Sequence, residues 1–161
     1  MKKRFMLAAP LAFALDYVTK QWAVNVLKLR PGGRMNALEG LFHWEYAENT
    51  GAAFSLFSGN PFLLVVLPVL LVAALIFYLW KNRQARAVTQ LGLWLAVGGG
   101  LGNWVDRAAR GFVVDFVALD FMRFAIFNVA DICIVCGVIL AALGILLSDN
   151  RGGVPGKAAQ K

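Results

Sequence analysis

Two aspartates carry the chemistry this sequence can do. Asp131 sits in an apolar run near the end of the chain, and Asp115 comes shortly before it. Carboxylates held close together do not both ionise readily, so they share a proton. One then serves as general base and the other as general acid, which is aspartic-protease chemistry. A carboxylate pair inside a membrane also suits a proton-coupled transporter, and the pair alone does not separate the two readings. Asn128 and Asp131 are spaced i, i+3 on one helical face. Other nucleophiles are scarce. His43 is the sole histidine and Ser55, Ser58 and Ser148 are the only serines, so a Ser-His arrangement has little support. Cys133 and Cys136 form a C-x-x-C inside an apolar stretch, where thiols behave as small hydrophobes. Two cysteines and one histidine exclude a zinc cluster or a histidine cage, and no metal or other cofactor is expected.

Further polar residues stand where the surroundings are apolar. Asp16 and Lys20 are spaced i, i+4 and read as a structural ion pair before a chemical one. Asn103, Asp106 and Arg107 share a face at the end of a glycine-rich segment, and a structural clamp and a catalytic role are equally consistent with them. Gly98 and Gly102 make a small-xxx-small seam for close helix packing. The surrounding glycines are not a dinucleotide fingerprint, because no strand-turn-helix context accompanies them.

The elements that position these groups follow from composition. Of 161 residues, 60% are hydrophobic and 16% charged, with a mean hydropathy of +0.65. A soluble domain is about 45–50% apolar and about 25% charged. A membrane-spanning helix needs about 20 mostly apolar residues. Four stretches qualify, at about residues 5–27, 61–80, 88–105 and 124–147. They predict a single all-α integral-membrane domain over residues 1–161, with outer loops at 28–60 and 106–123 and a disordered cytoplasmic tail at 148–161. An even number of spans puts both termini on one side. That side holds nine basic residues against one acid, Asp149, and the other side holds seven against eight. The positive-inside rule makes the first side cytoplasmic. Topology accounts for the net charge of +7, and nucleic acid is not expected as a partner. Met1–Ala14 also has the look of a signal peptide, but the apolar pattern resumes after Lys20, which favours a retained span. In the first outer loop, Phe42, Trp44 and Tyr46 alternate with polar residues, predicting a short strand. Leu38-Glu39-Gly40 turns an earlier strand onto it. Phe54, Leu56, Phe57 and Phe62 are expected to dip into the membrane interface beside this small sheet.

Five ordered motifs give the chain a resemblance. They are Leu15-Asp16 with Thr19-Lys20; Asn49-Thr50-Gly51-Ala52-Ala53-Phe54; Gly99-Gly100-Leu101-Gly102-Asn103 followed by Asp106-Arg107; Gly111-Phe112-Val113-Val114-Asp115-Phe116; and Phe127-Asn128-Val129-Ala130-Asp131. Together they resemble the bacterial lipoprotein signal peptidases, the signal peptidase II family. The resemblance implies a four-helix inner-membrane aspartyl endopeptidase with its site near the periplasmic face. Its substrates would be diacylglyceryl-modified prolipoproteins, cut just before the lipid-bearing cysteine, and it would contact membrane lipids and globomycin-type inhibitors. The family's catalytic pair falls on Asp115 and Asp131. The resemblance implies support from Asp16, Lys20, Asn49, Gly51, Asn103, Asp106, Arg107, Asn128 and Ala130, with Asn49 and Arg107 contacting substrate or inhibitor. The approach to Phe127, through Phe121-Met122-Arg123-Phe124-Ala125-Ile126, departs from the Trp-Pro type common in the family. The reading from another class is a small proton-coupled transporter or channel subunit. Against it, the second span has no polar side chain between Leu63 and Phe77.

Overall fold

A computed structural model of the chain describes residues 3–51 and 61–149. It is mostly helical, with one small sheet. A short helix α1 (Lys3–Met6) leads into α2 (Ala8–Trp22), which continues as a π-helical turn over Ala23–Leu27. After a 3₁₀ turn at Pro31–Gly33 come strands β1 (Arg34–Leu38) and β2 (Phe42–Asn49). Helices α3 (Pro61–Lys81) and α4 (Ala87–Arg110) follow, then β3 (Val113–Leu119) and α5 (Val129–Asp149). Among the described residues, two helices are long and apolar enough to cross a membrane, over Phe62–Lys81 and Val129–Leu147. Helices α2 and α4 carry the polar residues singled out above, and these lower their apolar character.

Helix α4 is the centre of the bundle because its glycines let the other helices close on it. A Cβ at Gly98 would run into Ala9 and Ala12 of α2, and one at Gly102 would strike the Asp16 carboxylate. The seam expected of Gly98 and Gly102 is therefore an α2–α4 contact. A neighbouring stripe, Gly92 and Gly99, lies against Gly137 and Ala130 of α5, and Gly100 lies against Val72 of α3. Absence of side chains brings backbones close enough for dispersion and polar contacts to hold the helices together. The helix ends where Gly111 takes a left-handed conformation (φ 80°) and its N–H donates to the Arg107 carbonyl at 3.1 Å.

The sheet has the order β1-β2-β3, with both pairings antiparallel. Strand β2 and the turn from β1 lie where the alternation predicts them. Trp44 packs edge-on to Trp22 and Phe42, at 5.4 and 5.0 Å between ring centroids. On the polar side His43 lies between Asp120 (2.6 Å) and Glu45 (3.0 Å). Val114 and Phe116 of β3 join Ala23 and Leu27 in a buried cluster, which seats the sheet on the end of α2. Strand β3 itself was not anticipated. It is buried on both faces, so it shows no alternation to read. Between Trp44 and Ala47 of β2 the register slips against Val117 and Asp115, a bulge beside the strand's only acid. Bulges of this kind re-aim side chains next to functional sites.

Two helix limits differ from the expected spans. Helix α4 continues to Arg110, beyond the limit at 105. Helix α5 begins at Val129, not at 124, because Phe127 pairs with Val117 and exchanges backbone hydrogen bonds with it at 2.8 and 3.1 Å. Phe124–Asn128 is thus not helical, and its approach to α5 is tied to β3. Phe62 is 70% exposed at the start of α3, whereas Phe54, Leu56, Phe57 and the tail from 150 onward lie outside the described residues.

Candidate active site

The polar residues predicted along four elements meet at one end of the bundle. The arrangement starts at the N-terminus of α5, where the first amides have no partner within the helix. Asn128 stands just before the helix and Asp131 three residues later. The Asp131 N–H donates to Asn128 Oδ1 at 3.0 Å, and the Asn128 N–H donates back to Asp131 Oδ2 at 3.2 Å. This is a reciprocal capping box built from Asn and Asp. A neighbouring amide, Ala130 N–H, donates across to Asp16 Oδ1 of α2 at 2.9 Å. Asp131 is therefore held in the first turn of its helix, favourably placed for a negative charge by the helix dipole.

Asn128 also joins the two aspartates. Its Nδ2 donates to Asp115 Oδ1 at 2.6 Å and to Asn103 Oδ1 at 3.1 Å, while its Oδ1 accepts from Asp131 N–H. The second oxygen of Asp115 accepts from Asn49 Nδ2 at 2.9 Å. Asn49 is oriented for this by an Asx turn in which its Oδ1 accepts from the Gly51 N–H at 3.0 Å. The free oxygen of Asp131, Oδ1, accepts from Asn103 Nδ2 at 2.7 Å. Each carboxylate thus has both oxygens engaged by donors, those of Asp115 by Asn49 and Asn128 and those of Asp131 by Asn103 and its own helix cap. Asp115 is 2% exposed, whereas Asp131 is only half-buried. Burial, assisted by the charge of Asp131, pushes the Asp115 carboxyl up to about 6, against the opposing pull of Asn49, Asn128 and Lys20. A carboxyl held in that range keeps a proton far more readily than an ordinary aspartate.

Beneath the pair lies an ionic layer centred on Lys20, which is 2% exposed. Its Nζ meets Asp16 Oδ2 at 2.8 Å, Asn103 Oδ1 at 2.9 Å and Asp106 Oδ2 at 3.1 Å. Asp106 also accepts from the Val114 N–H at 3.2 Å and lies 3.6 Å from Arg110 Nε. The layer links α2 and α4 to β3, and through Asp16 to α5. The pairing of Asp16 with Lys20 is the one their spacing predicts. Asp106 is engaged by Lys20, the Val114 N–H and Arg110, and sits on the structural side of the cluster. Arg107 turns the other way and donates Nη2 to the Gly51 carbonyl at 2.9 Å. Its buried Nε has no hydrogen-bond partner among the described residues.

The structure thus brings together Asp16, Lys20, Asn49, Gly51, Asn103, Asp106, Arg107, Asp115, Asn128, Ala130 and Asp131. Sequence reasoning missed two contributors. Val114 serves through its backbone, giving its N–H to Asp106 and its carbonyl to Asn128 at 3.4 Å. Gly102 leaves the space that the Asp16 carboxylate fills. The β-branched pair Val113-Val114 beside Gly111 was the signal for a strand there. Cys133 and Cys136 are unpaired thiols on α5, the second of them exposed, and neither joins the cluster.

Known proteins resemble this chain in sequence and in fold. The family profile described as Signal peptidase (SPase) II matches residues 8–147. A lipoprotein signal peptidase of Streptococcus thermophilus (strain CNRZ 1066) is 43% identical over 138 residues, covering 86% of this chain and 88% of that protein. One from Streptococcus pyogenes serotype M2 (strain MGAS10270) is 39% identical over 153 residues, covering 94% and 99%. Among solved structures, a bacterial membrane enzyme determined by the in meso method at 2.3 Å superposes with a TM-score of 0.86 at 27% identity, over 99% of this chain and 96% of the other. A second, at 1.9 Å, gives 0.80 at 28% identity over 91% and 94%. By its sequence over nearly its whole helical length, and by its shape, the chain belongs to the signal peptidase II family.

Proposed function

We propose that this chain, a bacterial membrane protease of that family, is an aspartyl endopeptidase whose working pair is Asp115 and Asp131. Its substrates on this reading are diacylglyceryl-modified prolipoproteins, cut on the N-terminal side of the lipid-bearing cysteine. The observation that carries the reading is Asn128, whose side-chain amide donates to the Asp115 carboxylate and whose backbone N–H donates to the Asp131 carboxylate, so that one residue joins the two acids in a common hydrogen-bond network. The ionised carboxylate takes a proton from water as the water oxygen attacks the scissile carbonyl carbon. The protonated carboxyl donates to the carbonyl oxygen. Collapse of the tetrahedral adduct breaks the C–N bond as a proton passes to the leaving amine, and the pair returns to one shared proton. Arg107, with a buried Nε free of partners among the described residues, is suited to grip a substrate carbonyl beside Gly51. Asn49 holds Asp115, and Asp16, Lys20, Asn103, Asp106 and Ala130 hold the framework.

On the same reading all four long helical segments cross the inner membrane, both termini are cytoplasmic, and the aspartates lie near the periplasmic face. The basic residues at the opposite end of the bundle support that orientation. An interfacial site lets water reach the carboxylates while the substrate's acyl chains remain in the bilayer. Globomycin-type inhibitors would occupy the substrate's place against Asn49 and Arg107. The transporter alternative finds no polar path along α3, which has no polar side chain between Leu63 and Phe77.

The test is incubation of the purified protein with a diacylglyceryl-modified precursor and with its unlipidated form, followed by mass analysis of the products. Cleavage of the lipidated precursor alone, before its cysteine, is the expected result. Comparable cleavage of both forms, or cleavage at another bond, would overturn the substrate assignment.

A further inference from the structure

The end of the bundle away from the aspartates carries a second polar feature, which the proposed reaction does not use. A cleft of about 820 Å³ opens between the end of α3, the start of α4 and the last turns of α5. Its lining includes Trp80, Lys81, Arg83, Arg86, Thr89 and Gly144. Thr89 and Asp106 are ~25 Å apart along α4 at a helical rise of ~1.5 Å per residue, so the cleft is remote from the dyad.

Three cations meet in this cleft. Arg83 is held in place there. Its Nε donates to the Trp80 carbonyl at 3.1 Å, and its guanidinium lies 5.4 Å from the centroid of the Trp80 ring. That leaves the terminal nitrogens of a positioned guanidinium as donors. No ion pair joins Lys81, Arg83 or Arg86 to an acid among the described residues. The loop carrying them is fixed from below by Gln90, 2% exposed, whose Nε2 donates to the carbonyls of Arg83 (3.1 Å) and Ala85 (2.8 Å). Helix α4 starts at the same place with no acidic residue in its first turn and no side-chain cap. Its leading amides add partial positive charge to the cleft. Topological sorting requires basic residues in such a loop, but it does not require a buried glutamine shaping the loop around a cavity.

The flanks are apolar. Phe77 is 60%, Trp80 59% and Leu146 64% exposed. Concentrated positive charge bordered by exposed hydrocarbon matches an anion that carries acyl chains. The geometry points to a binding site for the phosphodiester headgroup of an anionic phospholipid, held by Lys81, Arg83 and Arg86 between α3, α4 and α5, with its chains along Phe77, Trp80 and Leu146. The cleft volume lies within the range usual for ligand sites, about 300–1,000 Å³. The site is independent of the proposed proteolysis.

Native mass spectrometry of the full-length, delipidated protein tests it, with phosphatidylglycerol, phosphatidylcholine and inorganic phosphate as probes. A basic residue near a lipid phosphate contributes about 1 kcal/mol, or about fivefold in retention. Phosphatidylglycerol is expected to be retained over phosphatidylcholine. That preference falls about fivefold in each of Lys81→Gln, Arg83→Gln and Arg86→Gln, and is lost in the triple variant, while millimolar phosphate displaces nothing. Equal retention of the two lipids, or unchanged retention by the variants, overturns the proposal. Displacement by free phosphate also overturns it, since it would mark a site for a soluble anion. If the triple variant fails to insert, the three single variants decide, because each keeps two of the charges that orient the hairpin.

Discussion

Helices α3 and α4 are neighbours of similar length with opposite characters. Helix α3 has no polar side chain between Leu63 and Phe77, yet only 17% of its apolar span is buried. Helix α4 is rich in glycine and carries Thr89, Gln90, Asn103 and Asp106, yet 11 of its 24 residues are buried. In a water-soluble protein the greasier helix would be the inner one. Here it faces outward and the more polar helix forms the core, as expected of a chain whose solvent is hydrocarbon. The contrast explains why α4, unlike α3, is not among the two described helices that are apolar enough by average hydropathy to cross a membrane. The helix most essential to the site spends its interior positions on contacts a hydropathy average cannot see.

The contrast can be broken most severely at the aspartates. Asp115→Asn and Asp131→Asn are each expected to lower turnover by ~10²–10⁴, since the amide can neither take nor give the proton. Both oxygens of each carboxylate accept hydrogen bonds, so each variant also forfeits one of them. The double variant should be little slower than either single one, because the pair acts as a unit. Near-normal turnover of Asp115→Asn, with Asp106→Asn inactive at unchanged melting temperature, would move the working pair to Asp106 and Asp131.

Lys20 is the next most sensitive position. Replacing it with Met strips the buried Asp16 of its cation, leaves Asp106 only the longer contact with Arg110, and should cost ~3–5 kcal/mol of stability. Lys28 makes the same kind of contact with Glu48 at 2.8 Å but in the open, and Lys28→Met should leave the melting temperature close to that of the parent. Equal shifts for the two variants would mean the inner layer is not desolvated.

Titration distinguishes the polar end of the molecule from the rest. Burial raises the Asp115 carboxyl from its ordinary value of 3.8 to about 6 in the folded chain. Between those limits the folded state holds more protons, so stability falls as pH rises through the window. The shift corresponds to at most ~3 kcal/mol at ~1.4 kcal/mol per pH unit. Thermal melts of the parent should therefore decline more steeply than those of Asp115→Asn from about pH 4 to 6, and parallel curves would contradict the burial of that carboxyl.

The smallest effect separates the two helices directly. Gly102→Leu in α4 drives a side chain into the Asp16 carboxylate and should cost ~1–3 kcal/mol. Leu70→Ala on the 59% exposed face of α3 should stay within about 0.5 kcal/mol in thermal melts. A comparable loss at Leu70 would mean that α3 is covered by protein and not by lipid.

The local spacings within the site were readable in sequence, but the joins between elements were not. The i, i+4 pairing of Asp16 with Lys20 and the i, i+3 pairing of Asn128 with Asp131 are helix geometry, so spacing alone brings those side chains together. That Lys20 also reaches Asn103 and Asp106 depends on glycines in α4, whose partners no single helix reveals. The start of α5 was misplaced because Phe124-Ala125-Ile126-Phe127 is apolar in any conformation, and only its pairing with β3 makes it extended. The same long-range pairing delivers Asp115 to Asn128, so the sequence pointed to the two acids while the bridge between them awaited the fold.

The hydrogen bond from Ala130 to Asp16 links residues 114 positions apart, between the first long helix and the last. Ribosomes make those helices in order, so Asp16 and Lys20 are synthesised long before their partner exists. The first turn of α5, with Asp131 in it, is braced only when the final helix docks against α2 and α4. A bond of such long sequence separation closes late in folding, when the last helix joins the first.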